Sequence, residues 1–303
     1  MKALCLGVFI TLFQTVVFAQ SAAEYHRSGT ELLYAGDFER AVTVLSEAVK
    51  LDPEFANAYV DLAIAKHEMN DLDGTLADLD KALNIDPNLA IAHSNKGIVL
   101  EKLGRHQEAL EALQQAVELD QLDPEALLSK GYVLSKLLDN EAALADYNAS
   151  IQLDDNNARA YYLRGLLFAK QEKYEDAIKD FTTSIELSPR SPMGYSDRAV
   201  ALEKTGKFEE ALADFDKALK LDPTNYMSYR NRGIAKEKAG LLDEALQDYS
   251  KAIALDPEFA MAYFDRGVAY FRKGDKSSAC KDIATSAELG YEQAKISAED
   301  LCN

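Results

Sequence analysis

An all-α solenoid is the fold class that the sequence predicts. Small residues recur every 34 residues, each interval holds two amphipathic helical segments, and prolines close most of the intervals. One such helix pair cannot bury its apolar faces alone, whereas stacked neighbouring pairs can. A solenoid grows by adding repeats, so the usual expectation of about two domains for 303 residues does not apply.

The first 19 residues predict a signal peptide that precedes the fold. Lys2 gives a positive start, Ala3 to Phe18 is almost wholly apolar, and Val17-Phe18-Ala19 matches the small-residue cleavage pattern. A membrane anchor is the alternative, since the run approaches the lower limit of about 17 residues for a span. The cleavage pattern favours export to the periplasm or the extracellular space. No second apolar run predicts membrane insertion of the mature chain.

Three rows of small residues carry the repeat. A glycine recurs from Gly29 to Gly267, with alanine in two copies, and two further rows hold alanine, serine or threonine. Their common spacing predicts eight units at 22–55, 56–89, 90–123, 124–157, 158–191, 192–225, 226–259 and 260–293. In the seventh unit, Gly240 ends the first helix. Asp256-Pro257 closes the second, because proline cannot continue a helix.

This pattern resembles the tetratricopeptide repeat family over residues 22–293. The period, the small residues, the aromatic residues and the terminal prolines all agree with it. The resemblance implies a right-handed superhelix of antiparallel helix pairs, with the first helix of each pair lining a concave groove. Two units depart from the pattern. The third has its proline at Pro124 instead of residue 121, and the fourth, which ends LDDNNAR, has none.

A cation precedes the repeated glycine in most units, and an aspartate follows that cation by sixteen residues. All five units from residue 124 onward have both, whereas the first unit has neither. This joint occurrence predicts ion pairs that hold the two helices of a unit together; a binding surface is the alternative. The expected arginine pairs are Arg164–Asp180, Arg198–Asp214, Arg232–Asp248 and Arg266–Asp282.

A second cationic row lies six residues after the first, on a different helix face. It consists of Lys102, Lys136, Lys170, Lys204, Lys238 and Arg272. The resemblance assigns this face to the groove. The alternative is a solvated row that complements the last turn of each helix, where cations are favourable.

Apolar and aromatic residues of the same phase complete the predicted groove. The candidate partner-binding residues are Leu128, Tyr132, Lys136, Tyr162, Leu166, Lys170, Lys204, Arg230, Lys238 and Phe264. This mixture suits an extended or helical peptide of acidic character. The alternative for the two tyrosines is that they pack against each other across adjacent units.

The composition disfavours several other functions. A net charge of -18 argues against a nucleic-acid binder, which needs a basic face. The four histidines share no common phase, and neither a catalytic set, a metal site nor a phosphate-binding glycine loop is recognisable. The sequence therefore predicts a protein without enzymatic activity or cofactor. The lysine-and-asparagine pattern that some repeats of this family use for a terminal carboxylate is also not recognisable.

The C-terminal stretch predicts a polar capping helix, which residues 294–303 complete. A disulfide between Cys280 and Cys302 would close this end in an oxidising compartment. The alternative is that Cys280 is a small core residue and Cys302 a frayed end.

The leading function that these features predict is a protein-binding scaffold of the cell envelope or the secreted space. Two alternatives stay open at this point: a self-associating structural module, and a non-catalytic adaptor subunit of an envelope enzyme or export complex.

Overall fold

The computed structural model describes residues 21–302. The predicted signal peptide at 1–19 lies outside this range. The described residues form seventeen α-helices, without a β-strand. They divide into two compact units between Gln121 and Leu122, here called the N-terminal and C-terminal units. The prediction of an all-α fold of consecutive antiparallel helix pairs is confirmed.

The N-terminal unit contains three helix pairs. In each pair a first helix of 13 residues is followed by a second helix of 14 residues. The helices are α1 (Ala22–Tyr34), α2 (Phe38–Leu51), α3 (Ala56–Glu68), α4 (Leu72–Ile85), α5 (Ala90–Lys102) and α6 (His106–Leu119).

The C-terminal unit contains five helix pairs and one further helix. The pairs are α7 (Pro124–Lys136) and α8 (Asn140–Leu153), α9 (Ala158–Lys170) and α10 (Tyr174–Leu187), α11 (Pro192–Lys204) and α12 (Phe208–Leu221), α13 (Tyr226–Lys238) and α14 (Leu242–Leu255), and α15 (Ala260–Arg272) and α16 (Lys276–Glu288). The further helix is α17 (Glu292–Cys302), where the sequence predicts a cap.

The turn inside each pair needs one residue with a positive φ angle. Gly240 ends α13 in this way, with φ of 82°, as the sequence predicts. Glycine reaches this conformation without a Cβ clash, which explains its frequency there. The same turn position holds Asn70, Leu138 and Glu172 in three other pairs, with φ between 60° and 67°.

Most joints between pairs contain an aspartate turn, whether or not they also contain a proline. Between α10 and α11, Ser188 takes the place of the aspartate. The carboxylate of Asp222 accepts the backbone N–H of Thr224 at 3.0 Å, before a proline-containing joint. In LDDNNAR, Asp154 accepts the N–H of Asn156 at the same distance. Asn157 then caps α9. Helix initiation therefore survives the loss of proline, because side-chain acceptors satisfy the free N–H groups.

Close helix contact within a pair explains the repeated glycine. A Cβ added at Gly233 would lie 2.6 Å from the Tyr249 ring, and one added at Gly165 would lie 2.8 Å from the Phe181 ring. Both rings are fully buried. The glycine thus makes room for a large side chain from the second helix, which fills the core of its pair.

Candidate functional site

The first cationic row belongs to the scaffold, as the sequence predicts. In the seventh repeat, Nε and Nη2 of Arg232 donate to the two carboxylate oxygens of Asp248, at 2.8 and 2.6 Å. The Arg164, Arg198 and Arg266 equivalents make the same two-pronged contact, at 2.7–2.9 Å. The arginine therefore fixes the first helix of a pair against the second.

The same arginines also reach back to the preceding pair, which sequence comparison missed. Their remaining Nη1 group donates to the residue sixteen positions earlier, on the previous second helix. The acceptors are Asn148 for Arg164 (2.7 Å), Thr182 for Arg198 (3.0 Å), Asp216 for Arg232 (2.6 Å) and Ser250 for Arg266 (3.0 Å). Each of these guanidinium groups consequently joins three helices.

The second cationic row divides into two kinds. Lys238 pairs with the buried carboxylate of Glu203, and Arg272 pairs with Glu237. Lys102 contacts His67 at 2.7 Å. In each case the contacted residue lies 35 positions earlier, on the previous first helix. These three cations therefore make contacts within the scaffold, including Lys238, which the sequence places among the candidate partner-binding residues.

Lys136, Lys170 and Lys204 differ from those three cations. All are exposed, and none forms an ion pair with another residue in the range 21–302. The residue 35 positions before Lys170 is Ser135, and the residue 35 positions before Lys204 is Ala169, so neither lysine has a carboxylate at that place. Glu101 occupies the same place before Lys136. The Lys136 ammonium lies 5.0 Å from the ring centre of Tyr132, an attractive contact.

Leu128 is not a groove residue, so the prediction that it contacts a partner is wrong. Its exposed fraction is 0%, and the turn of α7 from Ala126 to Ser129 is buried throughout. The apolar character that suggested a contact surface instead reflects core packing. The sequence phase alone did not separate these two outcomes.

Three other candidates are half-buried and already engaged. The Tyr162 hydroxyl donates to Asp197 at 2.6 Å, and its ring packs against Phe181. Burial raises the pKa of Tyr162 well above its usual range, with a further rise from the Asp197 charge, so the phenol stays protonated. Arg230 pairs with Asp265 at 2.6 Å. The third is Phe264, whose ring centre lies 5.2 Å from the ring centre of Tyr291.

The structure brings four of the predicted residues together around one cleft. Tyr132, Lys136, Leu166 and Lys170 line an opening of about 210 Å³ between α7, α8 and α9. Its other lining residues are Ser135, Tyr147, Leu163 and Leu167. The walls are mostly apolar, and two ammonium groups supply the charge. This cleft is the candidate partner site.

The C-terminal end carries the covalent link that the sequence raises. Cys280 on α16 and Cys302 on α17 form a disulfide, with 5.5 Å between their Cα atoms. Cys280 therefore takes the bonded state among the two alternatives. The link ties α17 to the helix on which it packs.

No helix within residues 21–302 is both long and apolar enough to cross a bilayer. The same residues hold no group of three or more histidine, cysteine, aspartate or glutamate side chains placed to bind a metal ion.

Family models match most of the chain. A model described as TPR repeat matches residues 29–70 and 238–274. Three models described as tetratricopeptide repeat match residues 54–121, 215–247 and, in overlapping stretches, 94–158, 128–192 and 162–226. Together they extend from residue 29 to residue 274. No curated protein matches the chain.

Solved structures share the fold. A tetratricopeptide repeat protein from Parabacteroides merdae is 22% identical, with a TM-score of 0.62 over 82% of this chain and 99% of that one. YrrB, a TPR protein with an unusual peptide-binding site, is 24% identical, with a TM-score of 0.53 over 63% and 100%. MamA from Desulfovibrio magneticus is 22% identical, with a TM-score of 0.53 over 56% and 96%.

Proposed function

The chain belongs to the tetratricopeptide repeat family, and from this premise we propose that it is an exported scaffold that holds a peptide or protein partner in a groove. Members of this family are generally non-catalytic protein-interaction modules, and this chain is a protein-binding repeat module of that kind. The finer parts of the proposal are the groove, the acidic character of the partner and the envelope location.

The cleft between α7, α8 and α9 is the main structural support for a partner-binding groove. Its apolar walls include Leu166, which is 36% exposed, and the half-buried Tyr132. Water contacts these apolar surfaces in the free protein, so a partner that covers them gains hydrophobic free energy. The peptide-binding site of the YrrB protein, which shares the fold, supports the same use of a repeat surface.

The unpaired lysines support an acidic partner. Lys136 and Lys170 both line the cleft, and their charge has no carboxylate to meet within the described chain. A carboxylate brought by a partner would satisfy them. The charge of these lysines is opposite in sign to the net charge of -18. That acidic net charge disfavours nucleic acid as the occupant of the cleft.

Export is supported by the first 19 residues, which the structure does not describe. The apolar run and the Val17-Phe18-Ala19 pattern are typical of a cleaved signal peptide. Fractionation of the native host, followed by N-terminal sequencing of the protein, tests this part. The expected mature terminus is Gln20; a protein retained in the cytoplasm with Met1 intact would contradict it.

The groove is tested by crosslinking in the native envelope and identification of the captured partner. We expect Tyr132→Ala combined with Leu166→Ala to abolish capture, because both changes remove cleft walls. A matched control is Tyr34→Ala combined with Leu153→Ala, which removes an exposed tyrosine and an exposed leucine elsewhere. The groove assignment would be refuted if the double variant at 132 and 166, here called the cleft variant, still captured the partner. It would also be refuted if the cleft variant and the control variant lost capture equally.

Self-association is the competing role. Sedimentation of the purified chain over a wide concentration range separates the two possibilities. A constant monomer mass supports a scaffold for other proteins, whereas a mass that rises with concentration and falls in the cleft variant would assign the cleft to a second copy of the chain.

A further inference from the structure

We infer that the cleft accepts one bulky apolar side chain of an internal, acidic segment in a partner protein, with Lys136, Lys170 and Lys204 binding carboxylates beside that anchor residue. The inference rests on the proposed function and specifies its recognition chemistry. It also assigns different roles to cations that look alike in the sequence.

The size of the cleft decides what enters it. Small-molecule sites are commonly about 300–1,000 Å³. A volume of about 210 Å³ is below that range, and it corresponds to roughly seven waters at ~30 Å³ each. One large side chain fits this space, and a leucine or an aromatic residue matches the apolar walls of Leu163, Leu166 and Leu167.

The free lysines define what lies beside the anchor. Lys136 and Lys170 occupy the same position on successive first helices, and Lys204 occupies it on the next one. All three side chains are exposed, at the last residue of their helices. An acidic residue close to the anchor therefore meets Lys136 or Lys170, and one farther along the segment meets Lys204.

The scaffold cations of the same row show why Lys170 and Lys204 are available. Lys238 and Arg272 are held by Glu203 and Glu237 on the preceding first helix. The corresponding places before Lys170 and Lys204 are Ser135 and Ala169, and the Ser135 hydroxyl already donates to the Tyr132 carbonyl at 2.7 Å. The charges at 170 and 204 consequently have no ion-pair partner among residues 21–302, although each lies favourably in the last turn of its helix.

An internal segment fits the cleft better than a chain end. A terminal carboxylate is best held by several donors that converge on its two oxygens. The cleft has no asparagine, glutamine or arginine among its lining residues, and its two lysines stand on different helices. Separate ammonium groups of this kind match separate acidic side chains along a segment.

Binding to a defined peptide tests the inference. The probe is a fluorescein-labelled peptide, blocked at both ends, with a central phenylalanine between pairs of glutamates. The full chain should bind it, measured by fluorescence anisotropy. Replacing the glutamates by glutamine, or the phenylalanine by alanine, should each weaken binding by roughly tenfold, as expected for the loss of about 1.4 kcal/mol.

Charge exchange supplies a readout that misfolding cannot imitate. Lys170→Glu combined with Lys204→Glu should weaken binding of the glutamate peptide by about tenfold or more, since two attractive charge pairs are lost and repulsion replaces them. The same variant should bind a lysine-substituted peptide more tightly than the unmodified chain does. The matched control, Lys220→Glu combined with Lys251→Glu, reverses two exposed charges on second helices and should leave binding unchanged.

Several results would overturn the inference. One is that the glutamine peptide binds as tightly as the glutamate peptide, and another is that the double variant at 170 and 204 and the control at 220 and 251 lose binding equally. The others are binding that requires a free terminal carboxylate, and preferential binding of single-stranded DNA at Lys170 and Lys204. If any occurs while the cleft variant still loses its captured partner, the recognition chemistry is wrong and the groove stands. If the cleft variant keeps its partner, the proposed function itself fails.

Discussion

Lys130 stands where the next four repeats have arginine, and the aspartate opposite it is incompletely satisfied. Its Nζ lies 3.1 Å from Oδ1 of Asp146. Oδ2 is buried, and it has no hydrogen-bond partner within residues 21–302. Burial raises the pKa of Asp146, and the Lys130 contact only partly opposes this rise. A single ammonium donor cannot replace a two-pronged guanidinium.

We predict that Lys130→Arg stabilises the protein by about 1–2 kcal/mol at neutral pH, because it supplies the missing donor to a charged acceptor. Chemical denaturation monitored by circular dichroism measures the change. The folded-state pKa of Asp146 is raised, so its ionised form costs stability at neutral pH; the gain should therefore shrink as pH falls through that pKa. The converse control, Arg164→Lys, should destabilise the protein, and a neutral result for both would reject this account.

His67 should make the stability of the N-terminal unit sensitive to mild acid. Burial lowers the pKa of His67 from 6.5, and the nearby Lys102 charge lowers it further. Because the folded-state pKa is depressed, the unfolded chain binds protons first as the pH falls. Stability is thus full above about pH 6.5 and decreases below it, until the folded histidine also protonates.

The measurement is the urea midpoint between pH 7.5 and pH 5, for the unmodified chain and for His67→Gln. We expect the decrease to be smaller in the variant, since glutamine does not titrate. His93→Gln is the matched control, because His93 is a half-buried histidine of the same unit whose ring bonds the local Pro87 carbonyl. A variant at 67 with the same pH dependence as the control would contradict the prediction.

At the scale of a helix pair, the turn residue with positive φ limits stability in three places. Leu138 adopts φ of 67° with a side chain that is 71% exposed, so it bears the left-handed conformation without compensating burial. Glu172 is also exposed, with φ of 60°. Left-handed backbone costs roughly 1–2 kcal/mol for most residues other than glycine and asparagine.

Leu138→Gly and Glu172→Gly should therefore each raise stability by about 0.5–1 kcal/mol, after the entropy that glycine adds to the unfolded chain is subtracted. Thermal unfolding followed by circular dichroism measures the gain. Asn70→Gly is the control: asparagine tolerates this conformation, so its gain should be smaller. Equal gains at all three turns would mean that side-chain identity there is unimportant.

The helices could be predicted from the sequence because their ends depend on local chemistry. Gly240 and Asp256-Pro257 stop helices through their own backbone preferences, whatever lies around them. The Arg232–Asp248 pair could be predicted because copies of the repeat vary together. Side-chain exposure is different: Leu128 and Leu166 occupy neighbouring turns of equivalent helices, yet one is buried and one exposed, since that depends on packing partners from other helices.

The sequence contains a signal that helps to predict which cations of the second row form ion pairs within the chain. Glu203 and Glu237 precede Lys238 and Arg272 by 35 residues, whereas Ser135 and Ala169 occupy those places before Lys170 and Lys204. Comparing copies at this second spacing would have separated Lys238 and Arg272 from Lys170 and Lys204, but not from Lys136, which Glu101 precedes by the same 35 residues. The backward contacts of the arginines are harder to predict, because their acceptors share only the ability to accept a hydrogen bond.

For the whole molecule, the acidic net charge adds a long-range repulsion that opposes the local ion pairs. The net charge of -18 opposes any compact state, and salt screens that repulsion. We predict that raising NaCl from 10 to 150 mM increases the melting temperature, because the Debye length shortens from ~30 to ~8 Å. Calorimetry in the two salts measures this change. A lower melting temperature in the higher salt would show that the exposed ion pairs contribute more than the repulsion costs.

The three-helix contact of the arginines has a consequence for the genetic history of the chain. Asn148, Thr182, Asp216 and Ser250 all serve as acceptors for the arginine sixteen residues later, so this place tolerates chemically different side chains. Recombination that removes the codons for residues 192–225 would set Arg232 opposite Thr182, which already accepts an arginine. Gene segments of one repeat are thus interchangeable at this contact, which needs no compensating mutation when the array shortens or lengthens by one whole repeat.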